Sequence, residues 1–193
     1  MLEALQTLLL STGVVTASEI GDKTMLMAIC LAARFRRPAP IIWGILVATV
    51  LNHAMAGGVG AVLATLITPE ILRWILIVSF AAMAAWMLVP DKLDDEETDE
   101  GRMKRFGVFG TTVVLFFLAE MGDKTQLATV ALAAKFPAEA LEVISGTTLG
   151  MMIADAPAVF IGNKLAERLS MKLMRRIAAA VFAILAVAAW LGC

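Results

Sequence analysis

Apolar residues fill this chain in long unbroken stretches, without the alternation of a strand or the single stripe of a surface helix. Six stretches stand out, at about 5–33, 41–67, 72–89, 108–134, 137–161 and 177–191. A helix needs about 20 apolar residues at a rise of ~1.5 Å to cross a bilayer. The first, second and fourth stretches exceed that length, so those helices are expected to be tilted, kinked or protruding. Polar punctuation separates them. Arg34-Phe35-Arg36-Arg37-Pro38 closes the first and Thr68-Pro69-Glu70 lies between the second and third. Pro137 opens the fifth, a position proline favours. The pattern predicts an all-α integral membrane protein of six transmembrane helices. Composition agrees: 60% of the 193 residues are apolar and 17% charged. The mean hydropathy is +0.85, which excludes an ordinary soluble domain.

Against this background one polar stretch occurs twice. Ala17-Ser18-Glu19-Ile20-Gly21-Asp22-Lys23-Thr24 lies inside the first apolar segment. Ala119-Glu120-Met121-Gly122-Asp123-Lys124-Thr125 lies inside the fourth. The offset is 101 residues, and ten of the 18 residues from Ser18 to Phe35 are identical to their partners. Ionisable side chains at membrane depth are costly and point to function. A costly motif in two copies predicts one site built from two parts of the chain.

Lysine and arginine orient the spans. Six crossings put the termini and the second and fourth connections on one side, which holds Arg73 and Lys135. Twelve basic residues fall on the other side, among them Arg34, Arg36, Arg37, Arg102, Lys104 and Arg105. Both termini are therefore expected outside the cytoplasm, and the short N-terminus and compact loops are those expected of a bacterial inner-membrane protein. The N-terminus lacks the basic start of a signal peptide and is read as the beginning of the first span. Cys30 and Cys193 fall on opposite sides and are not expected to pair. Each half holds three spans, an odd number, so the second copy enters from the opposite face. The expected organisation is two inverted three-helix repeats, 1–90 and 106–193, joined by the acidic cytoplasmic linker 91–105. Such repeats place a transporter's site near the midplane.

On a continuous helix Glu19 and Asp22 share a face. Glu120 and Asp123 repeat that spacing, with Gln126 next along. If the two faces meet, four carboxylates and an amide converge. The hydroxyls of Thr24 and Thr125, or carbonyls freed near the glycines, would complete an oxygen shell. Such a shell suits Mg²⁺, Ca²⁺ or Mn²⁺, whereas Zn²⁺ sites favour His and Cys. A purely structural reading pairs Glu19 with Lys23 and Glu120 with Lys124 at i,i+4; the duplication argues for a shared site instead. Lys23 and Lys124 then lower the net charge of an empty site or replace the departing cation. Protons and a divalent cation compete for the same oxygens, which is the basis of cation/proton exchange. Asn52 and His53 lie near the centre of the second span and Asp155 near the centre of the fifth, as supporting or proton-relay candidates. No catalytic constellation stands out, and neither a cofactor nor a nucleic-acid partner is expected. Expected partners are the cation and the bilayer, with self-association left open.

Two E-x-G-D-K-T copies in a six-span chain with an acidic middle loop resemble the Ca²⁺/Mn²⁺:proton antiporter family, formerly an uncharacterised protein family. Its eukaryotic members sit in the Golgi and its bacterial members resemble manganese exporters. The resemblance implies Glu19, Asp22, Glu120 and Asp123 as cation ligands. It also implies Mn²⁺ export from the cytoplasm in exchange for protons, ahead of Ca²⁺. Thr125-Gln126 follows the second copy in the family's manner, and Lys124 stands where many relatives carry Arg. The alternative is an exporter of a small organic cation or amino acid, for which four carboxylates are a poorer match than for a divalent metal.

Overall fold

The computed structural model describes residues 2–89, 100–161 and 171–191. Eight α-helices carry these residues, with no strand among them: α1 (Leu2–Glu19), α2 (Lys23–Phe35), α3 (Pro38–Leu66), α4 (Pro69–Trp86), α5 (Glu100–Glu120), α6 (Lys124–Lys135), α7 (Ala140–Ile161) and α8 (Met171–Leu191). Residues 91–99, most of the acidic linker, lie outside the described residues, as do Lys164, Arg168 and Cys193. Cys30 is an exposed free thiol.

The boundaries follow from local chemistry. Arg36 takes a left-handed conformation (φ 51°) and its N–H returns to the Ala32 carbonyl, which ends α2. Pro38 and Pro69 then occupy the first turns of α3 and α4, where the missing N–H costs nothing. Pro137 opens a 3₁₀ turn leading into α7. Gly107, at φ 66° and ψ 179°, breaks the early part of α5.

Among the described residues, three helices are long and apolar enough to cross a membrane: Pro38–Leu66, Pro69–Trp86 and Pro137–Phe160. A fourth span is available if Phe106–Glu120 and Lys124–Lys135, bent by 68°, count as one. α3 alone is about 44 Å long at ~1.5 Å per residue. The first and fourth apolar stretches, whose length predicts tilting, kinking or protrusion, are each two helices. Their breaks fall inside the repeated motif.

The distribution of polarity is that of a protein whose solvent is lipid. Trp43, Leu51, Trp74, Val78, Phe160 and Ile184 are exposed, while Glu19, Asp22, Asn52, His53, Glu120, Asp123, Lys124 and Asp155 are buried. Two apolar clusters hold the helices together. One joins Phe80 and Met83 of α4 to Phe182 and Leu185 of α8, and the other joins Met25 of α2, Ile45 of α3, Phe116 of α5 and Met151 of α7.

Close helix contacts occur in matched pairs. α1 packs on α7 as α5 packs on α3, and α2 touches α7 as α6 touches α3. A Cβ on Gly44 would fall 2.7 Å from Thr112 Cβ and 3.1 Å from the Phe109 carbonyl. One on Gly146 would fall 2.9 Å from Ser11 Cβ and 2.5 Å from the Leu8 carbonyl. Residues 8 and 11 precede 109 and 112 by 101 positions, and Gly44 precedes Gly146 by 102. The same small-residue contact is made twice.

Candidate cation site

Both motif copies interrupt a helix in the same way. α1 ends at Glu19 and α5 at Glu120. Gly21 (φ 92°) and Gly122 (φ 77°) then turn the chain. Asp22 and Asp123 precede α2 and α6 in extended conformation, at φ −84°, ψ 172° and φ −80°, ψ 171°. The Asp22 N–H donates to the Glu19 carbonyl (3.0 Å) and the Asp123 N–H to the Glu120 carbonyl (3.1 Å). A left-handed conformation is open to glycine and costs an L-residue about 1–2 kcal/mol. A Cβ on Gly122 meets nothing within 4 Å, so the backbone alone sets its cost. Gly122→Ala is expected to lower stability by about 1–2 kcal/mol, read from denaturation in detergent, without displacing a neighbour.

Asp is a favoured N-cap residue, yet neither Asp22 nor Asp123 caps its helix through its side chain. Their carboxylates face the other motif copy. Lys124 Nζ lies 3.2 Å from Asp22 Oδ1, and Lys23 Nζ lies 3.5 Å from Asp123 Oδ1. Both of these ion pairs cross between copies, whereas a continuous helix would favour the i,i+4 pairs Glu19–Lys23 and Glu120–Lys124. With the helices broken at Gly21 and Gly122, the shared helical face drawn from the spacing does not exist either. The glutamates take their hydroxyl partners locally: Thr24 Oγ1 donates to Glu19 Oε2 (2.6 Å) and Thr125 Oγ1 to Glu120 Oε2 (2.7 Å).

The second oxygen of each glutamate, Oε1, and Oδ2 of Asp123 are buried without a hydrogen-bond partner among the described residues. Carboxylate oxygens of Glu19, Glu120 and Asp123 lie within 4.8 Å of one another. Oxygens bound at ~2.3–2.6 Å on opposite sides of one cation are about that far apart. Three of the four motif carboxylates therefore form one group, while Asp22 faces Lys124. The N-termini of α2 and α6, at Lys23 and Lys124, put partial positive charge beside these acids.

The supporting candidates divide. Asn52 Nδ2 donates to the Phe117 carbonyl (3.1 Å), Gln126 Nε2 donates to Asn52 Oδ1 (2.5 Å), and the Gly122 N–H donates to Gln126 Oε1 (2.7 Å). This amide chain ties α3 to the break between α5 and α6. The equivalent positions in the other half are Met25 and Ala154, which cannot form it. Asp155, fully buried on α7, has neither oxygen hydrogen-bonded among the described residues. It lies within electrostatic reach of Glu19 and Glu120. His53 is equally buried, with both nitrogens unpartnered among the described residues. Met25 is buried, whereas Met121 is 53% exposed. The sequence signals the breaks, since Gly21 and Gly122 inside apolar segments point to a broken or closely packed helix. Glycine just past a helix end and Asp at the next helix start are stop and start signals, and E-x-G-D contains both.

The family model for the divalent cation/proton antiporter GDT1 matches residues 7–95 and 108–192. The chain belongs to the GDT1 family. Among GDT1 relatives, a Vibrio cholerae protein named provisionally as a manganese exporter is 47% identical over 182 residues, covering 94% of this chain and 88% of that one. A GDT1-like protein of Synechocystis is 31% identical over 203 residues, covering 91% and 92%. GDT1-like protein 3 of Arabidopsis thaliana is 27% identical over 196 residues, covering 89% and 66%. No solved structure matches the chain.

Proposed function

We propose that this GDT1 protein exports Mn²⁺ from the cytoplasm in exchange for protons, with Ca²⁺ as the less favoured cargo. The observation that carries the reading is the convergence of Glu19, Glu120 and Asp123 oxygens within 4.8 Å in a buried centre. Asp22 completes the ligand set when Lys124 withdraws. The oxygen-only donor set suits a hard divalent cation, and the name of the Vibrio cholerae relative favours manganese. Protons occupy the carboxylates on the return stroke, and Asp155, buried nearby, serves as a relay. No resident cofactor is required.

The proposed architecture is six spans arranged as two inverted repeats, 1–90 and 106–193, joined by the cytoplasmic linker 91–105. The matched Gly44 and Gly146 contacts and the two identical helix breaks support it. The halves exchange roles so that the carboxylates face each side in turn. Both termini lie outside the cytoplasm of a bacterial inner membrane, on the side poor in Lys and Arg. The test is purified protein in vesicles containing a pH-sensitive dye, with an imposed Mn²⁺ gradient. Mn²⁺-driven proton movement is expected. Mn²⁺ flux without protons would indicate a channel or uniporter. Neither flux, with amino-acid movement instead, would favour the organic-cation exporter.

A further inference from the structure

The two crossed ion pairs have a consequence for coupling. Lys23 and Asp22 belong to the first motif copy, Lys124 and Asp123 to the second. Each ammonium reaches the aspartate of the other copy, at 3.2 Å and 3.5 Å. Both pairs therefore bridge segments a hundred residues apart, next to the group of oxygens offered to the cation. The Lys124–Asp22 pair is almost completely shielded, with side chains 2% and 1% exposed. The Lys23–Asp123 pair is looser, at 23% and 5%. A charge this deeply buried must be compensated. A lysine carries a compact point charge on a flexible stem, so it can supply that compensation and swing away.

We propose that Lys23 and Lys124 are built-in counter-cations that exchange with the transported ion. This inference rests on the cation-site reading above. While the site is empty, each ammonium holds the aspartate of the opposite copy and staples the two halves together. A divalent cation that recruits Asp22 and Asp123 displaces both ammonium groups, and the staples open. Occupancy and cross-linking are mutually exclusive. The empty carrier is thereby held in place, while the loaded carrier is free to reorient. An exchanger needs this restriction, because a carrier that returns empty dissipates the gradient. Lys124 and Lys23 act as positioning residues, through the aspartates and not on the cargo.

The test uses the full chain in detergent, with MnCl₂ titrated and free Mn²⁺ followed by its paramagnetic resonance signal. Lys124→Gln removes the competitor, so Mn²⁺ is expected to bind about fivefold tighter or more, the factor matching a modest ion pair. Lys124→Arg keeps the charge and is expected to retain wild-type affinity. In vesicles, Lys124→Gln is expected to move fewer protons per Mn²⁺ and to release Mn²⁺ without an exchange partner. Unchanged or weaker Mn²⁺ binding in Lys124→Gln, or proton coupling equal to wild type, would overturn the proposal. Should Lys124→Gln fail to fold, Lys23→Gln carries the same test at the more exposed pair. Wild-type protein that binds no Mn²⁺ would instead sink the cation-site reading itself.

Discussion

Glu120→Gln is expected to abolish Mn²⁺-driven proton movement while leaving the fold intact. Glu120 is fully buried, and its Oε1 has no partner among the described residues. Glutamine retains an acceptor for the Thr125 hydroxyl, which donates to Oε2 at 2.7 Å. What it loses is a negative charge in a group of three. Removing one charged partner from a buried ionic arrangement costs about 3–5 kcal/mol, more than about 100-fold in affinity. The effect on the empty protein has the opposite sign. Like charges at this separation repel, so neutralising one leaves thermal stability unchanged or raised when no divalent cation is present. Added MnCl₂ should raise the melting temperature of the wild type by mass action and leave that of Glu120→Gln unmoved. Glu19→Gln should behave identically, because Glu19 holds the matching position with Thr24 as its donor. A Glu120→Gln protein that still exchanges Mn²⁺ for protons would remove the composite site from consideration.

Gly60→Ala is expected to be among the most damaging substitutions outside that site. A Cβ at position 60 would fall 2.2 Å from the Val130 carbonyl oxygen and 3.0 Å from the Ala134 N. Both are backbone atoms of α6, and neither can step aside as a flexible side chain would. Overpacking of this kind costs about 1–3 kcal/mol. The displaced helix is the one that begins at Lys124, so the motif moves with it. Loss of stability and loss of Mn²⁺ affinity should therefore appear together. Gly13→Ala is the control, since a Cβ there meets nothing within 4 Å; it is expected to melt within about 0.5 kcal/mol of wild type. Equal stability of the two variants in a detergent melt would contradict the close α3–α6 approach.

Much of the candidate site is legible in the sequence, because its residues come as a duplicated motif in a setting where charge is expensive. Glu19, Asp22, Glu120 and Asp123 announce themselves by cost and by the 101-residue offset. Their geometry is not legible from spacing. A helical wheel carries Glu19 and Asp22 along one face, whereas Gly21 at φ 92° ends that helix between them. Local pattern also favours Glu19–Lys23 over Lys23–Asp123, since only the first is within reach along a helix. The pairing that occurs depends on two distant breaks meeting, which no window of the chain encodes. The amide contact between Asn52 and Gln126 is hidden for the same reason. The spans are legible in proportion to their apolarity: α3, α4 and α7 stand clear, while polar residues dilute α1 and α2. The proposed repeat draws its support from contacts, because Gly44 and Gly146 make the same approach to segments that share little sequence.

The amide chain from Phe117 through Asn52 and Gln126 to Gly122 exists in one half only, with Met25 and Ala154 in the mirrored places. In a perfectly duplicated chain, the inward-facing and outward-facing forms of an inverted-repeat carrier would have equal free energy. Under the proposed alternation, the form that makes the amide chain would be favoured over the form that would need its mirror image. One net hydrogen bond is worth about 1 kcal/mol, roughly a fivefold population bias. In the proposed exchange cycle the proton-loaded transporter would accordingly dwell on one side of the membrane. Apparent Mn²⁺ affinity would then be weaker from the rarely visited side, by the fraction of time spent there. An exchanger assembled as proposed from two near-copies would thus acquire a preferred direction of capture from a single unmatched pair of side chains.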